Sequence, residues 1–185
     1  FIDDVRFNRI ADIMDENFFN YIGHRAGVGE YHSWQNSLNH IKNVLEVAEL
    51  HDNMLELEYQ IPYNSTRIDC LIFGEDETNR GNVVLIELKQ WDQVTATDIE
   101  GNYVETYVGK GIRTVAHPSQ QVQGYHHYLL NFVEEFEKEP PFNLTSFSYC
   151  HNYSREADSS GLFAEQYAEV LDKFPVYCKE DVQVL

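Results

Sequence analysis

Two stretches decide how this chain folds: Arg67-Ile68-Asp69-Cys70-Leu71-Ile72-Phe73 and Asn82-Val83-Val84-Leu85-Ile86-Glu87-Leu88-Lys89. The first is rich in apolar and β-branched residues and stops at Gly74, as a strand does. The second carries four consecutive apolar residues, Val83 to Ile86, the pattern of a central strand covered on both faces. The polar residues 75–81 between them predict a turn. Upstream, residues 55–61 alternate in polarity until Pro62, which predicts a third strand before these two.

Working outward, Trp34, Leu38, Ile41, Leu45 and Ala48 recur at steps of four and three and define one helical stripe. Ile2, Val5, Ile10, Ile13, Phe18 and Tyr21 suggest another helix over residues 2–22, followed by a glycine-containing loop. Downstream, residues 103–108 and 112–116 flank Gly109-Lys110-Gly111, a hairpin signature. His117-Pro118-Ser119 opens a long helix expected to run to about Lys138, closed by Pro140-Pro141. A strand over 144–150, a short helix over 164–171 and a last strand over 175–178 complete the reading. That order of elements predicts a mixed α/β sandwich around a small sheet. It forms one domain of 185 residues with a helical extension over about 1–28.

Composition excludes several classes. Lys and Arg number 13 against 31 Asp and Glu, for a net charge of −18. Non-specific nucleic-acid binding runs on cations displacing counterions, so a chain this acidic is no general nucleic-acid sponge. Any nucleic-acid role needs a local cationic spot, a bound metal or a basic partner. Hydrophobic residues make up 43%, too many for disorder. No run of about 18 apolar residues occurs, so no membrane span is expected. Cys70, Cys150 and Cys178 are odd in number and far apart, which favours a reducing, cytoplasmic setting.

The chemistry gathers on the two opening stretches. Glu87 and Lys89 lie two apart and therefore share a strand face with Val83 and Leu85. Asp is depleted in strands, yet Asp69 sits in the middle of one. If the strands are neighbours, Asp69 and Glu87 can converge on one hard divalent cation, Mg²⁺ or Mn²⁺, which takes oxygen ligands. Lys89 would then orient an attacking water or neutralise developing phosphate charge. Two carboxylates, a metal and a lysine are the equipment of phosphodiester hydrolysis. The plainer alternative is a strand end where Glu87 and Lys89 meet water as a weak ion pair.

Asp69 followed by Glu87-Leu88-Lys89 eighteen positions later resembles the signature of the PD-(D/E)XK nuclease superfamily. That resemblance implies a restriction-endonuclease-like fold, with a mixed central sheet in αβββαβ order flanked by helices. Gln121-Val122-Gln123-Gly124-Tyr125 resembles the Gln-x-x-x-Tyr motif of the RecB-like branch, in which the Gln and Tyr flank the metal site and contact substrate. Residues four apart share a helical face, so Gln121 and Tyr125 could reach one site; the alternative is a solvated Gln and a core Tyr. The superfamily also implies a helix-borne acid as a further metal ligand. Glu30, four residues before Trp34, is the candidate, with Glu46 and Glu58 as alternatives and a simple N-terminal helix acid as the plain reading.

Wider wording is similar to the amino-terminal domain of bacterial proteins that carry a Schlafen-group-three-like DNA/RNA helicase ATPase. The matching words are Ser33-Trp34-Gln35-Asn36-Ser37-Leu38, Glu58-Tyr59-Gln60-Ile61-Pro62 running into Arg67-Ile68-Asp69, Ile86-Glu87-Leu88-Lys89-Gln90-Trp91, His117-Pro118-Ser119 and His151-Asn152-Tyr153. Some members of that group are discussed as phage-defence proteins. No GxxxxGK[ST] motif is present, so an ATPase part would lie elsewhere in a longer parent chain. Arg67, Lys110, Arg113 and His117 are candidate substrate contacts. His117 could equally cap its helix, and Trp91 could stack on a base or pack under the hairpin. The resulting expectation is a metal-dependent nuclease acting on DNA or RNA. Its competitor is a nuclease fold kept as a binding module without turnover. A sugar hydrolase using paired carboxylates explains neither Lys89 nor the Gln–Tyr pair.

Overall fold

A computed structural model of the chain describes residues 1–62, 65–138, 141–157 and 161–185. The chain divides into two compact units. One comprises Phe1–Asp52 with Val182–Leu185, the other Asn53–Asp181.

The first unit is helical: α1 (Ile2–Arg6), α2 (Ile10–Ile22) and α3 (Val28–Val47). The single helix expected over residues 2–22 is in fact two. The break falls at Asn8, whose φ of +55° lies in the left-handed region that Asn tolerates better than most residues. Val5, Ile10 and Ala11 are buried, whereas Ile13 and Tyr21 of the expected stripe face solvent. Four members of the α3 stripe, Trp34, Leu38, Ile41 and Leu45, are buried as read, whereas the fifth, Ala48, is the exposed C-cap just past the helix. Asp15 ties the connection down, accepting from Arg25 Nη1 at 2.8 Å and from the Ala26 N–H at 2.9 Å.

The second unit is mixed α/β, built on a five-stranded sheet with helices packed against it. Its strands are β1 (Met54–Gln60), β2 (Arg67–Glu75), β3 (Gly81–Lys89), β7 (Asn143–Cys150) and β8 (Val176–Cys178), in the order β1-β2-β3-β7-β8. β1, β2 and β3 pair antiparallel, while β3–β7 and β7–β8 pair parallel. β3 is therefore central, and Val83, Leu85 and Ile86 are buried on its two faces, as their unbroken run required. The β2–β3 turn is organised by Asp76, whose Oδ1 accepts from the Thr78 and Arg80 N–H groups at 2.8 and 3.0 Å.

The hairpin forms as read, with β5 (Tyr103–Val108) and β6 (Gly111–Ala116) joined by a two-residue turn at Gly109, φ +68°. A short strand that the sequence did not announce, β4 (Val94–Ala96), pairs with β5 and makes this a separate three-stranded sheet. Helix α4 (Pro118–Phe132) then crosses β3 and β7. It stops six residues short of the expected end. Val133 is extended, and Glu134 and Glu135 beyond it would repel the negative C-terminal end of a longer helix. Pro140 lies outside the described residues. The helix expected over 164–171 is a 3-10 turn, Glu165–Tyr167, running into α5 (Ala168–Lys173). Among the described residues no helix is long and apolar enough to cross a membrane.

Candidate active site

The β2–β3 ladder carries the site by ending early. Its last rung at this end is Cys70 opposite Ile86. One residue further, Asp69 falls opposite Glu87 and shares its face, because cross-strand partners point the same way. Here the backbone pairing gives out. Asp69 Oδ2 instead accepts from the Leu88 N–H at 2.7 Å, so a carboxylate replaces the carbonyl a regular ladder would offer. Asp in a strand is explained by that substitution: it terminates the pairing and leaves its second oxygen beside Glu87.

Glu87 is the hub. It is only 3% exposed, and its Oε1 accepts from Lys89 Nζ at 2.7 Å and from Gln121 Nε2 at 2.6 Å. Gln121 Nε2 also lies 2.8 Å from Tyr125 Oη, so α4 presents the i and i+4 pair as one hydrogen-bonded unit. Glu87 Oε2 is buried and accepts from no donor among the described residues. Tyr125 is buried, while Asp69, Lys89 and Gln121 are half-buried, so the cluster keeps a side toward solvent. Asp69, Glu87 and Lys89 on one face of the sheet thus stand together with Gln121 and Tyr125 of the overlying α4.

The electrostatics follow from burying acids beside one another. Burial, then the charge of Asp69, pushes the Glu87 carboxyl up to about 8. Burial also raises Asp69, against the opposing pull of Lys89 and of the Leu88 N–H. Burial alone would lower Lys89, but Glu87 and Asp69 outweigh it and hold the ammonium above its usual range. Tyr125 is pushed up to about 12 by burial and by Glu87. Lys89 is therefore a charged donor near neutral pH and not a base.

A stability consequence has a definite sign. Glu87 carries a raised carboxyl in the fold, so its stabilising contribution is present at acid pH and is lost as pH rises toward about 8. The metal-free protein should lose roughly 1 kcal/mol of stability between pH 7 and pH 8, with little further loss above. Glu87→Gln should flatten that slope in urea titrations run at each pH. An unchanged slope would mean that Glu87 ionises normally.

Of the remaining candidates, Arg67 borders the cluster, two residues from Asp69 on β2 and close enough for its charge to pull that carboxyl down, whereas the others lie elsewhere. Arg67 Nε lies 3.3 Å from Glu58 Oε2 on the neighbouring strand. Lys110 and Arg113 are exposed on the β5–β6 hairpin. His117 is fully buried: its Nδ1 accepts from the Ser119 N–H at 3.1 Å and its Nε2 lies 3.0 Å from the Leu162 carbonyl. Burial lowers it to about 4, so it is a neutral internal cap and not a substrate contact. Glu30 stands in the first turn of α3, in the helical unit. Trp91 packs against the core, with Lys89 Nζ 5.3 Å from its ring centroid.

Two features escaped the sequence. Glu58 has a φ of +55° in the middle of β1, between the rungs Leu57–Cys70 and Tyr59–Ile68. Ser148 is in register with Glu87 on β7, fully buried, and its Oγ has no hydrogen-bond partner among the described residues. The alternation of Ser146 and Ser148 with the aromatics Phe147 and Tyr149 was the available signal. Ser146 Oγ is 2.8 Å from His126 Nδ1, which places that serine row under α4.

Among the described residues no group of three or more His, Cys, Asp and Glu is arranged to hold a metal ion; the acids that converge here are a pair. Comparison of the chain with family models, with curated proteins and with solved structures returned no match.

Proposed function

We propose that this chain is a divalent-metal-dependent nuclease domain of the PD-(D/E)XK kind, hydrolysing phosphodiester bonds of DNA or RNA. The observation that carries the reading is the convergence of Asp69, Glu87, Lys89 and Gln121 on one half-open spot, with a buried oxygen of Glu87 that accepts from no donor among the described residues. Without a cation the Glu87 carboxyl is protonated near neutral pH and hydrogen-bonds the Asp69 carboxylate. A hard cation would take the place of that proton between the two carboxyls. Two carboxylates suit Mg²⁺ or Mn²⁺, which keeps several waters rather than demanding an all-protein cage.

The order of strands and helices in the second unit is compatible with the restriction-endonuclease-like fold that the sequence resemblance implies. Asp69 and Glu87 would hold the cation, which when bound supplies Lewis-acid polarisation of the phosphate. Lys89 offers a charged N–H to an attacking water and to the extra negative charge that develops on phosphorus-bound oxygen. Gln121, hydrogen-bonded to Tyr125, shares Glu87 Oε1 with Lys89 and so leaves the buried Oε2 for the cation. The same resemblance places the domain in a longer cytoplasmic protein whose helicase ATPase part would feed it strands, in a setting such as phage defence.

A second reading, a binding module without turnover, is favoured by one observation: only two acids converge among the described residues. Calorimetry separates the two. Mg²⁺ or Mn²⁺ should bind the wild-type chain, and Asp69→Asn and Glu87→Gln should each weaken binding by roughly tenfold or more. Absence of cation binding that depends on these residues would leave the binding module.

A further inference from the structure

Past its last rung, Cys70 opposite Ile86, the β2–β3 register brings Asp69 level with Glu87 and, two residues further, Arg67 level with Lys89. Strand alternation puts Arg67 on the face of Asp69 and Lys89 on the face of Glu87, so the two cations stand just beyond the acid pair on the same side of the sheet. Burial raises Asp69, and the charges of Lys89 and Arg67 both pull it back, so both reach the site. Lys89 is held there by Glu87 at 2.7 Å. Arg67 is held by Glu58, whose Oε2 lies 3.3 Å from its Nε. The Arg67 and Glu58 side chains are 25% and 22% exposed, sheltered from full solvent screening yet open to a ligand. Glu58 makes that contact from a strained backbone. β1 pairs with β2 through Leu57–Cys70 and Tyr59–Ile68, but the rung between them, Glu58 opposite Asp69, is missing, and Glu58 has a φ of +55°. The register is the same on either side, so no inserted residue explains the kink. A residue of this size takes the left-handed conformation in mid-strand only where its surroundings enforce it.

We propose that Glu58 is a positioning residue for Arg67: it leaves regular strand geometry to hold the guanidinium opposite Lys89, where the two cations take non-bridging oxygens of one substrate phosphate. The planar guanidinium fork matches a phosphate, and with Nε turned to Glu58 it is fixed in one orientation. The identity of the ligand rests on the nuclease reading, whereas binding at this spot does not require turnover. With a divalent cation on Asp69 and Glu87, three carboxylates face that ion, Arg67 and Lys89, and the group carries one net positive charge, which suits a phosphodiester. Glu58 itself is not a third ligand of the ion. Its carboxylate is on Arg67, and among the described residues no three acids are arranged to hold a metal.

The test is fluorescence anisotropy of a labelled, nuclease-resistant phosphorothioate thymidine 15-mer with the full 185-residue chain in Mn²⁺, beside calorimetry of Mn²⁺ alone and thermal melts. Arg67→Ala and Glu58→Gln should each weaken binding of the strand roughly fivefold. The double variant should bind no more weakly than Arg67→Ala, because Glu58 acts through Arg67. The Mn²⁺ affinity of Glu58→Gln should stay within about threefold of wild type, whereas loss of a ligand would cost roughly tenfold or more. Glu58→Gly should melt above Glu58→Gln, since glycine takes the left-handed turn freely, and yet bind the strand no better. This pattern of binding without cleavage of an ordinary strand would sink the nuclease reading and support the present one. Cleavage by wild type, with binding unchanged in Arg67→Ala and Glu58→Gln, would overturn the present one alone. Undetectable binding by wild type, additive losses in the double variant, a ligand-sized loss of Mn²⁺ affinity in Glu58→Gln, or a Glu58→Gly that melts below Glu58→Gln would overturn it as well.

Discussion

Glu87→Gln is expected to abolish Mg²⁺-dependent cleavage of DNA and RNA, by at least about a hundredfold, while leaving a folded protein. The substitution keeps the side chain's shape and an oxygen for Lys89 and Gln121, which now meet Oε1 at 2.7 and 2.6 Å. It removes the charge that burial already disfavours, so stability at pH 8 should hold or rise. Lys89→Ala should lose cleavage for a different reason. The Glu87 carboxyl, deprived of its ammonium, moves further up and stays protonated near neutral pH. The measurement is the initial rate on labelled single- and double-stranded substrates, with urea melts of the same preparations. Cleavage that persists at the wild-type rate in both variants contradicts the assignment.

His117→Ala is expected to have the largest effect on stability, about 3 kcal/mol, or roughly 10 °C in Tm. Three losses combine. A fully buried ring is removed from beside Tyr167, whose ring centroid is 4.6 Å away. The Ser119 N–H at the start of α4 loses its cap, and the buried Leu162 carbonyl loses its donor. Because α4 carries Gln121 and Tyr125, its first turn sets the position of the site. A thermal melt checks the expectation. A lowered cleavage rate with an unchanged Tm would instead return His117 to the role of substrate contact.

Much of the site was legible because strand chemistry restricts where Asp, Glu and Lys can sit. The apolar run Val83–Ile86 fixed β3 as central, and its period of two then put Glu87 and Lys89 on one face. Gln121 and Tyr125 were singled out by the motif they resemble; helical spacing added only that both could reach one site. What the sequence could not express was long-range register. Nothing local says that the β2–β3 ladder ends at Cys70, or that the Leu88 N–H takes Asp69 as its acceptor. His117 was ambiguous for the same reason, since its partner carbonyl, on Leu162, is 45 residues away. The breaks at Asn8 and Val133 were missed because apolar spacing continued through them, while backbone geometry and helix-end electrostatics decided the outcome.

The early end of the β2–β3 ladder also explains why an acidic chain could work on an anionic polymer. The cation at the proposed centre would screen the carboxylates, and Lys89, half-buried beside Glu87, would act in a dielectric below that of bulk water. Outside that spot, the acidic surface opposes non-specific adhesion.

The central claim is that Asp69 and Glu87 together grip a hard cation. A crystal grown with Mn²⁺ and measured at the metal's anomalous edge tests it most directly. The expected result is one peak within about 2.5 Å of Glu87 Oε2 and of an Asp69 oxygen. Millimolar Mn²⁺ with no peak there, and both carboxylates still bonded as they are now, would contradict it.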